Sequence, residues 1–161
     1  MAVDRDYGNF SKVASRLLKP LVEPLGYHQI KGAAFGRLRD GWIEGFFLQQ
    51  SGWGGGDFWV NAGLSVPKLD DLWQNDPSTR SFGLILGARL DRQGISHGAE
   101  SYPAENEIKL SASLERVARD LKAADSWFAK FQSLDEVAVE YKLHNGGAIA
   151  NINSGFLLLL V

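Results

Sequence analysis

The chain contains no cysteine. That excludes disulfides, thiolate catalysis and every cysteine-based zinc site. It also lacks an apolar run of the ~18 residues needed to span a bilayer; the closing segment, residues 155–161 (GFLLLLV), is far too short. Excess charge of one sign is missing as well. Seventeen Lys+Arg against nineteen Asp+Glu leave a formal net charge of −2, which argues against a dedicated nucleic-acid binder. Residues 1–7 (MAVDRDY) are polar and acidic where a secretory signal needs a basic stretch and an apolar core, so a cytoplasmic location is expected. No internal repeat is visible.

What is present has the balance of a globular protein. With 45% hydrophobic and 22% charged residues, the composition argues against disorder and against a rod. A length of 161 residues suits one domain with one core. The charge is unevenly spread: residues 1–39 carry seven basic and three acidic groups, +4, and residues 40–161 carry ten and sixteen, −6. Such asymmetry fits an anionic partner, or two parts of the chain that pack on each other.

Periodicity predicts the elements. Phe10, Val13, Ala14, Leu17, Leu18, Leu21, Val22 and Leu25 recur at three-and-four spacing, giving an amphipathic helix over 10–25, kinked at Pro20 and capped by Gly26. The period then changes to two, predicting strands over 34–39, 42–50 and 57–66, with a fourth over 82–90. Asp40-Gly41 predicts a type I′ hairpin turn. Residues 51–56 (SGWGGG) form a looser connection with Trp53 at its middle. Phe58, Val60, Ala62, Leu64 and Val66 make one inner face, and Phe82, Leu84, Leu86, Ala88 and Leu90 another. For 42–50 the inward side is ambiguous, with Trp42, Phe46 and Leu48 opposed to Ile43, Gly45, Phe47 and Gln49.

Residues 94–104 have turn composition. Leu110, Leu114, Val117, Leu121, Ala124, Phe128 and Phe131 then mark a helical seam, as one helix or two joined near Asp125-Ser126. Ser133 and Glu136 form a capping box for a further helix that stops at Gly146. Residues 155–161 read as a buried terminal strand or a dimer contact. The expected class is a single α+β domain over 1–161: an antiparallel sheet of about four or more strands, with an N-terminal helix and C-terminal helices packed on it.

Titratable chemistry does not converge in the sequence. His28, His97 and His144 show no metal-ligand spacing, and no His-Glu-x-x-His pattern occurs. His97 with Glu100 is the least bland histidine–carboxylate pair, and it reads as a solvated loop before it reads as a base. No Gly-x-Ser-x-Gly elbow is present, and the 52–56 loop lacks the Lys-Ser/Thr of a phosphate loop. No catalytic residue, metal site or cofactor is assigned. The candidate binding residues are polar and aromatic instead: Gln49, Ser51, Trp53, Trp59 and Asn61 lie on two successive strands and the loop that joins them. Hairpin pairing would bring Gln49 and Asn61 together beside Gly45 and Gly63, where a helix of the chain or a ligand can approach the sheet closely. Arg37, Arg39 and Arg89 are expected to border this area.

Residues 17–66 carry Leu25-Gly26-Tyr27, Phe35-Gly36-Arg37, Gln49-Gln50-Ser51 and Asn61-Ala62-Gly63 in that order. This arrangement resembles the bacterial domain-of-unknown-function 4304 family, whose members show a Phe-x-Arg strand, a Gln-x-Ser strand end and an Asn-x-Gly strand. Tyr27 stands where Phe is usual, and the 54–56 run is richer in glycine than the family pattern. The resemblance implies an α+β domain of small bacterial proteins without naming a reaction. The expected function is a non-enzymatic protein-interaction or regulatory module of the immunity sort. Its alternative is a small-ligand-binding protein or hydrolase-type enzyme using the polar sheet face. A protein or small-ligand partner is expected, with self-association through residues 155–161 or the 110–131 seam compatible with either.

Overall fold

A computed structural model of the chain describes residues 10–51, 56–66, 84–96 and 100–144. Trp53, His97, Gly146 and residues 155–161 lie outside them, as does the start of the strand expected over 82–90. The chain is α+β: an N-terminal helix, an antiparallel sheet and C-terminal helices. No helix among the described residues is long and apolar enough to cross a membrane.

Helix α1 (Phe10–Val22) buries Ala14, Ser15, Leu18 and Val22, the stripe that the three-and-four spacing marks. It runs through Pro20 and then tightens into a 3-10 turn, Glu23–Leu25, where a continuous helix was expected. Pro24 has no N–H to offer the Pro20 carbonyl, so the α-helical ladder cannot continue there. Gly26 closes the turn at φ +88°, its N–H donating to the Glu23 carbonyl at 2.9 Å.

Among the described residues seven strands form one antiparallel sheet. They are β1 (His28–Lys31), β2 (Ala34–Leu38), β3 (Ile43–Gln50), β4 (Asp57–Ser65), β5 (Leu86–Asp91), β6 (Gly94–Ser96) and β7 (Tyr102–Pro103). The order is β1-β2-β3-β4-β5-β6, and β7 pairs with the opening residues of β4. The β2–β3 turn departs from the expected type I′: Gly41 alone adopts positive φ, and Asp40 does not. Beyond the strands read from periodicity, β1, β6 and β7 are additional.

Helix α2 (Glu107–Phe128) starts at Asn106, whose side chain accepts the Lys109 N–H at 2.9 Å. It is one unbroken helix, and it buries Leu110, Leu114, Val117, Leu121, Ala124 and Phe128. Helix α3 (Leu134–His144) follows, with the Ser133 hydroxyl accepting the Glu136 N–H at 3.3 Å. The helices cover the sheet face that carries Phe35, Phe46, Phe58, Val60, Ala62, Leu64 and Leu90, all 0% exposed. Strand β3 therefore points Phe46 inward and turns Ile43, Phe47 and Gln49 to the opposite side.

A row of directly paired glycines, Gly36, Gly45, Gly63 and Gly87, crosses β2 to β5 on that opposite face. At Gly36 the Ile30 and Ile43 side chains fill the space a Cβ would take. At Gly63 a Cβ would fall on the Leu86 carbonyl oxygen and 2.6 Å from the Gly87 Cα. The close approach at this pair is made by the neighbouring strand. Gly63→Ala should therefore destabilise the domain by about 3 kcal/mol or more, because rigid backbone cannot yield to the methyl group. Urea denaturation of the variant checks this; a loss below about 1 kcal/mol would show that β5 can shift.

Candidate functional site

Two clusters of polar side chains lie on opposite faces of the sheet. The register of β3 and β4 pairs Phe47 with Asn61 and Gln49 with Trp59, and β4 and β5 pair Asn61 with Arg89. Gln49 and Asn61 are thus diagonal neighbours on one face, a separation that two amide side chains can span. The Asn61 amide donates to Gln49 Oε1 at 3.0 Å, and Arg89 Nη1 donates to the same oxygen at 3.3 Å. The Arg89 guanidinium lies 5.1 Å above the Trp59 ring. Gln49 is exposed, while Trp59, Asn61 and Arg89 are half-buried. Ser51 follows β3 and closes the hairpin, its N–H donating to the Asp57 carbonyl at 3.0 Å.

The cluster has more donors than acceptors. Both lone pairs of Gln49 Oε1 are engaged. Among the described residues the Gln49 amino group, the second Asn61 N–H and the remaining Arg89 N–H groups make no further side-chain hydrogen bond, with Asn61 Oδ1 as the remaining side-chain acceptor. Such a patch is built to receive oxygen acceptors, with an indole beside them for an apolar contact.

Arg37 and Arg39 do not border this area. Arg37 pairs across the sheet with Glu44, one residue out of step with the glycine row, so its side chain points to the helix side. There Nε donates to Glu44 Oε2 at 2.6 Å, Nη2 to Asp125 Oδ1 at 2.5 Å and Nη1 to the Leu25 carbonyl at 3.2 Å. Its plane lies 4.7 Å from the Tyr27 ring and 5.5 Å from that of Phe128. Arg39 Nε donates to the other Glu44 oxygen at 2.9 Å. Glu44 is 1% exposed, a buried carboxylate that the sequence signals only as a charge on the inward side of β3 between Trp42 and Phe46.

A second buried network ties β7 to α2. The Tyr102 hydroxyl donates to Asp120 Oδ2 at 2.7 Å, and Arg116 lies 4.3 Å above its ring. Arg116 Nη2 also donates to Glu100 Oε1 at 2.9 Å, and Arg92 approaches the second oxygen at 3.8 Å. Glu100, read with His97 as a candidate pair, is thus held by two arginines. Among the described residues no group of three or more His, Asp or Glu side chains is placed to hold a metal ion.

Two outcomes test these clusters. Arg37→Met leaves the Glu44 carboxylate buried without its closest partner and should cost about 3 kcal/mol. Arg39→Met, with a half-exposed side chain, should cost less than about 1 kcal/mol. Urea denaturation of both, and of the Arg37→Met/Glu44→Met double variant, measures the coupling. Burial raises Tyr27, whose hydroxyl has no hydrogen-bond partner, and burial followed by the Asp120 hydrogen bond raises Tyr102, both above the ordinary phenol range. The fold holds both phenols neutral, so their stabilisation is complete below the unfolded value near pH 10 and is lost as pH rises above it. Each should contribute a fall of about 1.4 kcal/mol per pH unit there. Denaturation at rising pH, with Tyr102→Phe as the variant of shallower slope, checks the sign.

The chain matches no protein-family model, and neither a curated protein nor a solved structure is found similar to it.

Proposed function

We propose that this domain is a protein-interaction or regulatory module, of the immunity sort, whose recognition surface is the sheet face bearing Gln49, Trp59, Asn61 and Arg89. The observation that carries the reading is the shared acceptor: Gln49 Oε1 takes hydrogen bonds from both Asn61 and Arg89 while Arg89 lies over Trp59. These contacts hold four side chains from three strands in one arrangement before any partner arrives, which lowers the ordering cost of binding. The unused donors suit carbonyl or carboxylate oxygens of a partner segment, and the indole suits an apolar side chain beside them. A small carboxylate-bearing ligand fits the same donors and is the second reading. On the order and spacing of its four motifs we also propose membership of the domain-of-unknown-function 4304 family.

Affinity capture with wild-type protein, Trp59→Ala and Arg89→Ala tests the surface. Both substitutions remove half-exposed groups and should leave the melting transition within a few degrees of wild type. Each should weaken capture of the specific partner by roughly tenfold or more. A partner list unchanged by both substitutions excludes this face. Titration of wild-type protein with N-acetyl amino acids, followed by amide NMR, separates the readings: saturable shifts at Asn61 and Arg89 support the small ligand, and none supports the macromolecular one.

A further inference from the structure

With neither Trp59 nor Arg89 in its lining, an open groove of about 460 Å³ lies between α1 and the β1–β2 turn. Its helical wall presents Lys12, Arg16 and Lys19, and none of its lining residues is acidic. These three positions fall within a narrow arc of α1, so their charges form a strip ~10 Å long. Existing ion pairs leave that strip available. Arg16 meets Glu107 only at 3.6 Å, with both side chains 68% exposed, and Lys19 meets Glu23 at 3.8 Å. Lys12 has no ion-pair partner among the described residues. The floor, in contrast, is fixed: the Gly32 carbonyl accepts from the buried Ser15 hydroxyl at 2.8 Å and from the Gln29 amide at 2.8 Å.

The other wall is an edge strand. Among the described residues β1 pairs with β2 alone, and all four of its residues are exposed. The pairing shifts register between Gln29 and Lys31, an irregularity of the kind found at sheet edges. A free strand edge offers backbone hydrogen bonds to an extended peptide. We propose that this groove binds an extended acidic segment of a partner protein, added as a strand beside β1 with its carboxylates toward Lys12, Arg16 and Lys19. Every second side chain of such a strand, ~6.8 Å apart, falls on the α1 side. Lys12 and Arg16 are spaced ~6 Å along the helix, close to that interval. The edge favours a peptide over a phosphate polymer, which has no backbone amides to pair with it.

The probe is a fluorescein-labelled peptide of about ten residues alternating Glu and Thr, read by anisotropy at low salt. Saturable binding is expected, weakened roughly tenfold or more by Lys12→Glu/Arg16→Glu. Both substituted residues are exposed, and circular dichroism confirms that the variant is folded. A probe N-methylated at alternate residues keeps every carboxylate and should lose a similar factor, because it cannot pair with β1. Trp59→Ala should leave the titration unchanged, which separates this site from the proposed sheet-face surface. Absence of saturable binding up to about 1 mM overturns the proposal. So does equal binding by the charge-reversed variant, by the N-methylated probe or by inorganic tripolyphosphate in competition. Loss of binding in Trp59→Ala would place the peptide on the sheet face and overturn it too.

Discussion

The fold depends on how one buried carboxylate is neutralised. Glu44 sits on the inner face of β3 at 1% exposure, in a layer otherwise built from Phe35, Phe46, Phe58 and Leu64. A charge left alone there would oppose folding by several kcal/mol. Arg37 supplies the counter-charge across the β2–β3 pair and does more than neutralise it. Its Nη1 holds the Leu25 carbonyl, its Nη2 holds Asp125 on α2, and its plane is flanked by the rings of Tyr27 and Phe128. One side chain therefore joins two strands, the 3-10 turn after α1 and the second helix. Because guanidinium donors are directional, the joint fixes the placement of α2 on the sheet as well as its affinity for it.

That joint has a consequence for where recognition can occur. Once α1 and α2 close one face, the interactive groups of the sheet are those on the other, and β-strand alternation decides which they are. Residues 35, 37, 44 and 46 point to the helices, while 36, 45, 47 and 49 point away. Gly36, Gly45 and Gly63 of the glycine row are buried, Gly36 under Ile30 and Ile43 and Gly63 against the Leu86–Gly87 backbone, so the half-exposed polar groups of that face gather at its Trp59–Arg89 end. An ordered pair of an aromatic ring and a guanidinium, with little rotamer freedom left to lose, has the composition that suits the proposed recognition surface.

Much of this was legible in the sequence, in proportion to how one-sided each element's burial is. The α2 seam and the alternation of β4 and of β5 from Leu86 onward are legible because one face of each meets the core and the other does not. Strand β1 has no buried residue, and β6 and β7 span three and two residues, so none of them leaves a period to detect. The Gln49–Asn61 contact followed from hairpin pairing alone. Arg37 was misplaced for a related reason: arginines at the rim of a polar face and arginines pairing a buried acid look alike until register is known. The ambiguity in β3 had hidden the one inward charge, Glu44, that distinguishes them.

The two remaining arginine clusters show that the charge asymmetry of the chain has two different meanings. Arg116 and Asp120 belong to α2, and with Glu100 and Tyr102 they settle their charges within the acidic part of the chain, partly under cover. The cations of α1 lie in the basic first third and, among the described residues, find only loose partners at 3.6 and 3.8 Å. Packing of the basic part on the acidic part accounts for Arg37, which crosses to Asp125, and leaves Lys12, Arg16 and Lys19 exposed beside a strand edge that no other strand pairs among the described residues. An edge of this kind invites indiscriminate strand pairing, and cations beside it repel copies of the same basic edge while favouring acidic strands. The same residues that keep the edge from pairing with itself therefore set the chemistry of what it can accept.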